Sequence, residues 1–310
     1  MRDERAIPAV CPTALSGKLR GHMGAPTFDL QSHSTRSDGV CEPTEVVRRA
    51  AEAGVELLAL SDHDTVDGVA EALEAGVAHG IRVVPATELS SIDGEREDMH
   101  ILGYLVEHDD PVFLDALEEF RADREARAVR MMDALRELGY ELDTAPIDAR
   151  RAAGAPVGRP HIARAAFDHP DNASRIAQEG FANFSDLLVA YLIEGAPAFR
   201  RRTTPTIAEA IDVIHAAGGV AIWAHPYWDL DTDADVRDSI GRYAEMGIDG
   251  VEAFYVTHDE HQTRFAYEEC TRRGLLTTGS ADFHGPEHPQ FSAFRAFETH
   301  GLIPNMGPIA

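Results

Sequence analysis

Histidines and carboxylates recur in this chain at the ends of short apolar segments. The members of this set are His33, Asp38, His63, Glu88, His100, His225, Asp282 and His284. Neutral imidazole and carboxylate are ligand types that suit Mn²⁺, Zn²⁺ or Fe²⁺. The set contains no thiolate, which argues against a structural, cysteine-based zinc site. The pattern therefore predicts a catalytic metal cluster.

Each member of the set also has a simpler interpretation. A single histidine at a strand end is usually a polar side chain satisfied by a hydrogen bond. The metal interpretation depends on the whole set, which is distributed over separate strand ends. By contrast, His258 and His261 are spaced i, i+3 at a predicted helix start, and we expect both to be solvated.

The elements that must position these residues alternate along the chain. From Phe28 onward, short β-type segments are followed by helical segments, a pattern typical of a parallel sheet or barrel of βα units. The predicted strands are FDLQSH, ELLALSDHD, RVVPATE, MHILGYLV, GVAIWAHP, GVEAFY and LLTTGSADFH. In a parallel barrel, the C-terminal strand ends meet on one face. Residues far apart in sequence therefore meet there.

One stretch breaks the alternation. Residues 108–202 carry helical periodicity and no convincing strand pattern, which predicts a helical subdomain inserted between barrel strands and roofing the site. The predicted organisation is an N-terminal tail over 1–26, a discontinuous barrel over 27–107 and 203–300, and the insertion over 108–202.

Composition narrows the classes of partner and compartment. The 310 residues include 53 acidic and 28 basic side chains, a formal net charge of -25, which argues against duplex nucleic acid as a partner. No apolar run approaches the roughly 20 residues of a membrane span. Three scattered cysteines do not suggest a disulfide framework, and the first residues lack a signal-peptide pattern. We expect a cytoplasmic protein with no membrane partner.

Six motifs occur in an order that resembles the polymerase and histidinol phosphatase (PHP) family. They are DLQSHSTRSDG, LSDHDTVDG, ATELS, MHILGY, AHP and GSADFH, over about residues 26–104 and 203–290. The insertion resembles that of the nucleoside 3',5'-bisphosphate phosphatase branch related to RNase AM. The resemblance implies an α/β fold, a distorted (β/α)7 TIM-like barrel. It also implies two to three divalent metal ions per chain, Mn²⁺ first, with Zn²⁺ or Fe²⁺ as alternatives.

The resemblance also implies roles for individual residues. All eight members of the set would be metal ligands, with Glu88 bridging two ions and a third ion on Asp38, His63 and His284. The family opens with His-x-His, whereas this chain has Gln31-Ser-His33. Gln31 is therefore either a weaker ligand or a substrate contact. The implied catalytic residues are Glu88, Asp282 and His225, the last as a proton donor only if it is not a ligand.

Several residues outside the set are candidates for contacts with substrate or ligands. Arg159 and His161 lie in a segment resembling one near the family's substrate phosphate. Arg200 and Arg202 carry charge suited to a second phosphate. Trp228 is a candidate to stack on a base.

Asp62 and Asp64 flank His63 and are expected to orient imidazoles. Capping of a helix starting near Val66 is the alternative for Asp64.

The predicted function is hydrolysis of a small phosphorylated metabolite, a nucleoside 3',5'-bisphosphate or short oligonucleotide. In this family-based prediction, a metal-bound hydroxide attacks phosphorus. One alternative is a histidinol-phosphate-type monoesterase or an exonuclease. The other is a non-catalytic module that binds metal or phosphate.

Overall fold

A seven-stranded barrel forms the body of the protein, seen in a computed structural model that describes residues 26–152 and 157–310. The predicted tail, apart from Pro26, lies outside the described residues. The strands are β1 Phe28–Asp29, β2 Leu57–Leu60, β3 Arg82–Asp93, β4 Arg96–Tyr104, β5 Val220–Trp223, β6 Gly250–Tyr255 and β7 Leu276–Ser280. They neighbour one another in chain order, and the Leu30 amide donates to the Gly279 carbonyl at 3.1 Å. The predicted barrel is confirmed.

Strand β4 departs from the predicted parallel arrangement. It runs antiparallel to both β3 and β5. Only Gly94 and Glu95 separate β3 from β4, and so short a connection joins antiparallel strands only. Gly94 has φ +64°, a backbone conformation that favours glycine in such turns. As a result, His100 lies within a strand, paired with Ser90 of β3, rather than after a strand end.

Helices cover the outside of the barrel. They are α1 Pro43–Glu52, α2 Val69–His79, α8 Ile207–Ala216, α10 Asp233–Met246 and α11 Glu260–Arg273. The single-turn helix α9, Pro226–Asp229, instead follows His225 directly after β5. A capping box opens α8, where the Thr206 hydroxyl accepts from the Glu209 amide and the Glu209 carboxylate accepts from the Thr206 amide. The apolar face of α8, including Ile211 and Ile214, is buried against the sheet.

Helices joined by turns and irregular segments make up the described residues of the insertion. Its helices are α3 Pro111–Glu137, α4 Ala145–Ala152, α5 Arg159–Phe167, α6 Ala173–Glu179 and α7 Phe184–Tyr191. Phe113 and Leu117, in the first half of α3, belong to the apolar core of the barrel. Met131 and Leu135, in its second half, belong to a separate apolar core within the insertion. One helix therefore joins the two bodies. Within the described ranges, no helix has the length and apolarity of a membrane span.

Close approach of β6 and β7 requires a glycine at position 279. A Cβ built on Gly279 would lie 2.6 Å from the backbone oxygen of Phe254, which cannot move without disturbing β6. We expect Gly279→Ala to lower the free energy of unfolding by about 1–3 kcal/mol, measured by urea denaturation. Gly241→Ala, within α10, is the control, because its new methyl group would meet only the Arg273 side chain, at an ordinary van der Waals distance of 3.9 Å. Equal stability of the two variants would contradict this packing.

Candidate functional site

The predicted histidines and carboxylates meet at the barrel mouth. Three groups have ligand-type atoms within 4.8 Å of one another, namely His33, Asp38, His63 and His284; His63, Glu88 and His100; and His33, Glu88 and Asp282. The eighth residue, His225, places Nε2 3.2 Å from Glu88 Oε1 and 3.3 Å from His100 Nδ1. The structure thus brings all eight together.

Glu88 is the centre of this arrangement and is fully buried. Its Oε1 lies 2.8 Å from His100 Nδ1, on the side of His225. Its Oε2 lies 3.1 Å from His33 Nε2. Burial alone would raise the pKa of Glu88, but the neighbouring His63 and His100 outweigh burial and hold that pKa well below its usual range. Glu88 is therefore ionised at neutral pH, with each oxygen facing a different histidine.

Several side-chain atoms in the cluster make no hydrogen bond of acceptable geometry with the described residues, although some lie close to a neighbour, as His33 Nε2 does at 3.0 Å from Asp282 Oδ1. They are both ring nitrogens of His33, Nδ1 of His63, Nδ1 of His225 and Oδ1 of Asp282, all buried. Buried polar atoms are normally paired, so a concentration of unpaired lone pairs needs an explanation. Imidazole and carboxylate are donors that suit divalent cations. The residues present therefore fit bound metal ions.

Backbone strain accompanies two of these positions. His225 and Asp282, each just after a strand, have φ values of +30° and +53°, which non-glycine residues rarely adopt. Two residues of β6 hold them in place. The His225 amide donates to Glu252 Oε2 at 3.0 Å, and the Tyr255 hydroxyl donates to Asp282 Oδ2 at 2.7 Å.

Sequence reasoning did not select Glu252 or Tyr255. The available signal was a glutamate within the otherwise apolar strand GVEAFY. Burial raises the pKa of Glu252 to about 8, and a buried carboxyl of this kind is a common mark of a functional site.

Gln31 presents its amide nitrogen, not its oxygen, to Glu88. Nε2 donates to Glu88 Oε2 at 2.8 Å, while Oε1 lies 3.3 Å from Ser280 Oγ on the other side. An ionised carboxylate only accepts hydrogen bonds, so the nitrogen must face it. In this orientation, Gln31 offers the cluster a donor rather than a lone pair.

The two aspartates beside His63 do not orient imidazoles, and that prediction was wrong. Asp62 accepts from the Ser34 amide at 2.7 Å, the Ser34 hydroxyl at 2.7 Å and the Ser37 hydroxyl at 2.6 Å. Asp64 accepts from the Ser90 amide and from Arg124. Capping is wrong for Asp64 too, since α2 begins only at Val69. Asp62 instead fixes the loop that carries His33 and Asp38.

A cavity of about 230 Å³ lies between the cluster and the insertion. Asp38, His63 and His100 line one side, and the insertion contributes Arg124, Arg127 and Arg159, together with apolar side chains of α3 and α5. Arg124 donates to Asp64 at 2.7 Å, and Arg159 donates to Asp98 at 2.5 Å. Arg124 and Arg127 were missed because arginines spaced i, i+3 on a long helix are typical of a solvated face.

Of the four predicted substrate residues, only Arg159 lines this cavity. His161 Nδ1 accepts from the Gly158 amide at 3.0 Å, and the ring lines a separate cavity of about 100 Å³ inside the insertion. Arg200 donates to the carbonyls of Pro197 and Phe199.

Arg202 is buried, and its guanidinium has no hydrogen-bond partner among the described residues. It does not line the cavity that contains Arg159.

The prediction for the histidines near α11 was half wrong. His258 is buried, with Nδ1 3.2 Å from the Ala253 carbonyl oxygen, and burial lowers its pKa to about 4. It precedes α11 and packs against Tyr255 with ring centroids 5.4 Å apart, so it is not on the solvated face. His261 is exposed, as predicted.

Comparison with known proteins identifies similar sequences and folds. The PHP domain family model matches residues 29–192. A 5'-3' exoribonuclease of Haemophilus influenzae is 35% identical over 84% of this chain and 90% of its own length. A 3',5'-nucleoside bisphosphate phosphatase of Chromobacterium violaceum is 30% identical over 84% of this chain and 87% of its own length. A solved structure described as a metal-dependent phosphoesterase, from Bifidobacterium adolescentis, has a TM-score of 0.67 at 25% identity, covering 85% of this chain and 89% of that one.

The Asp62 contacts predict a local effect of its removal. Asp62→Ala would leave the two buried Ser34 donors without an acceptor and the Ser37 hydroxyl with only Asp38 Oδ1, at 3.3 Å. Each buried donor left unpaired costs about 1–3 kcal/mol unless water replaces the carboxylate. We expect lower stability and faster amide hydrogen exchange over residues 34–38. Asp67→Ala is the control, because the Asp67 side chain is 66% exposed. Unchanged exchange in Asp62→Ala would refute this role.

Proposed function

The chain belongs to the PHP domain family, and on that premise we propose that it hydrolyses a nucleoside 3',5'-bisphosphate or a short oligonucleotide with divalent cations at the barrel mouth. The named relatives act on RNA and on nucleoside bisphosphates. The observation that carries the proposal is the position of Glu88. Its two oxygens face different histidines beside an arginine-lined cavity.

The geometry supports a division of the cluster among cations. We assign His33, Glu88 and Asp282 to one ion and Glu88, His100 and His225 to a second. Asp38, His63 and His284 would hold a third. These groupings follow the short distances around Glu88 and the set centred on Asp38. With three divalent ions and three carboxylates, the mouth would be locally positive, which attracts phosphate to an acidic protein.

Bound cations would supply Lewis-acid charge and lower the pKa of water. The chain's own residues hold those cations and bind the substrate. Glu88 and Asp282 stay ionised, since the histidines around Glu88, and His33 beside Asp282, lower their pKa values. His225 is assigned as a ligand through Nε2, and its alternative role as a proton donor requires that nitrogen to be free.

The insertion, residues 108–202, would roof the site and bind substrate phosphate. Arg124, Arg127 and Arg159 face the cluster across the cavity and can form charge-assisted hydrogen bonds to phosphate oxygens. In the same positions, they would stabilise charge on the oxygens around phosphorus in the transition state. A cavity of about 230 Å³ beside the insertion favours a small or single-stranded substrate over a duplex.

A second cavity extends the site along α3. Its volume is about 500 Å³, it shares His63 and Arg124 with the first, and it is also lined by Arg36, Arg121 and Arg151. This continuation gives room for nucleotides beyond the one at the cluster, which supports a short oligonucleotide as an alternative substrate to a bisphosphate.

A phosphate-release screen with Mn²⁺ tests the proposal. The substrates are adenosine 3',5'-bisphosphate, mononucleotides, sugar phosphates, histidinol phosphate and 5'-phosphorylated short RNA. We expect the bisphosphate or the short RNA to have the highest kcat/KM. Asp282→Asn, which removes one carboxylate charge from the cluster, should lower kcat/KM by more than about 100-fold.

Two controls make this test decisive. The unfolding midpoint of Asp282→Asn should remain near that of the wild type, so that the loss is one of function. An active Asp282→Asn variant would contradict the assignment of Asp282. No metal uptake and no phosphate release from any substrate would favour a binding module without catalysis.

The Gln31 contact predicts a measurable effect on metal content. We propose that Gln31 positions Glu88 through its amide hydrogen bond. Gln31→Leu should therefore weaken metal binding by about 10- to 100-fold, the usual effect of removing a partner that orients a ligand. Gln31→His should bind metal more tightly if the ring reaches the ion.

Metal per chain, measured after dialysis, provides the readout. Gln178→Leu, at an exposed position in α6, is the matched control. Retained metal affinity in Gln31→Leu would show that the hydrogen bond to Glu88 does not matter. Lower activity of Gln31→His with unchanged metal content would indicate that Gln31 contacts substrate.

A further inference from the structure

The two tryptophans of the chain are close in sequence to the candidate metal ligand His225 but differ in their exposure to solvent. Trp223, in β5, is fully buried and packs against Tyr243 with ring centroids 5.0 Å apart. Trp228, in α9, is 52% exposed, although it follows His225 by only three residues. An exposed tryptophan leaves a large apolar surface in water, and tryptophans at binding surfaces are often covered by a ligand.

Trp228 is part of a continuous aromatic strip, which we define as Trp228, Phe291 and His288. The Trp228 and Phe291 rings lie 5.8 Å apart, and the Phe291 and His288 rings stack at 5.0 Å. The strip adjoins the cluster at two points. The ring centroids of Phe291 and His284 are 5.4 Å apart, and those of Trp228 and His225 are 6.5 Å apart. It therefore leads from the cluster to solvent.

The strip and the arginine cavity border different histidines. The cavity is lined by His63 and His100, whereas the strip borders His225 and His284. None of the three strip residues lines either of the cavities that contain His63. A molecule with a phosphate at the cluster can thus extend a charged group towards the arginines and a flat, apolar group towards Trp228.

We propose that Trp228 is a specificity residue that stacks on the nucleobase of the substrate. The inference rests on the proposed function, which places a nucleotide phosphate at the cluster. The rings of the strip are suited to stacking on the face of a base rather than to forming hydrogen bonds with its edge. Every base has such a face, so this subsite selects nucleotides over sugar phosphates without choosing one base strongly.

Fluorescence provides a direct test, since Trp228 is the exposed one of two tryptophans. The probes are adenosine 5'-monophosphate and ribose 5-phosphate, which carry the same phosphate and differ by the base. We expect the nucleotide to quench the emission of the Mn²⁺-loaded wild type, and ribose 5-phosphate to leave it nearly unchanged. The quenching should be lost in Trp228→Phe, because the remaining tryptophan is buried.

Affinity and turnover provide the second readout. Trp228→Ala should weaken nucleotide binding by about 10- to 100-fold, measured by calorimetry, with ribose 5-phosphate binding unchanged. Trp228→Phe should recover most of the affinity. Ile303→Ala, at an 80% exposed position, is the control for loss of exposed apolar surface.

The outcomes separate this inference from the proposed function. Equal nucleotide affinity in Trp228→Ala and wild type, or equal loss for both probes, would overturn base stacking. A change of oligomeric state in Trp228→Ala with unchanged nucleotide binding would also overturn it and assign the strip to a second copy of the chain. Hydrolysis of nucleoside and abasic bisphosphates at equal rates would refute the subsite while leaving phosphoesterase activity intact. Base-dependent binding without hydrolysis of any ester would support the base subsite and refute the proposed phosphoesterase activity.

Discussion

A negative charge buried at the barrel mouth is the constraint on which the rest of the site depends. Glu88 has no exposure to solvent, and an isolated carboxylate in such a place would be strongly destabilising. His33, His100, His225 and the Gln31 amide surround it. Much of the nearby structure keeps these groups in place, including the strained backbone of His225 and the contacts that β6 makes with His225 and Asp282. The same geometry that stabilises Glu88 also provides a place for cations.

The direction of β4 explains how the cluster and its roof are connected. Because β4 returns along β3, it enters the barrel at the mouth and leaves at the opposite end. The chain must then return to the mouth end of the barrel, and α3 covers this distance with 27 residues, a length of about 40 Å. Its first turns complete the barrel core and its later turns begin the core of the insertion. Arg124 and Arg127 lie between these two regions, beside the cavity.

The residue types made most of the cluster predictable, because histidines and acids are conspicuous at the ends of apolar strands. The partners that hold the cluster were harder to predict. Tyr255 fits an ordinary apolar strand, and the two arginines of α3 fit the solvated face of a helix. Their residue types therefore gave no separate sign of a functional role. The direction of β4 was missed because both strands of the hairpin extend further towards each other than their apolar segments suggested. Gly94 and Glu95, rather than a long loop, form the connection. His258 shows the same limit, since a position before a helix does not determine burial.

The shared helix also has a mechanical consequence. A subdomain joined to a barrel only by loops can move as a unit. The insertion instead continues from α3, whose first half packs in the apolar core of the barrel. Lifting it would require bending α3 or withdrawing Phe113 and Leu117 from their apolar surroundings. The packing of α3 therefore opposes large movements of the insertion relative to the barrel. The separation between the α3 arginines and the cluster is therefore held nearly constant by one helix that is packed into two apolar cores.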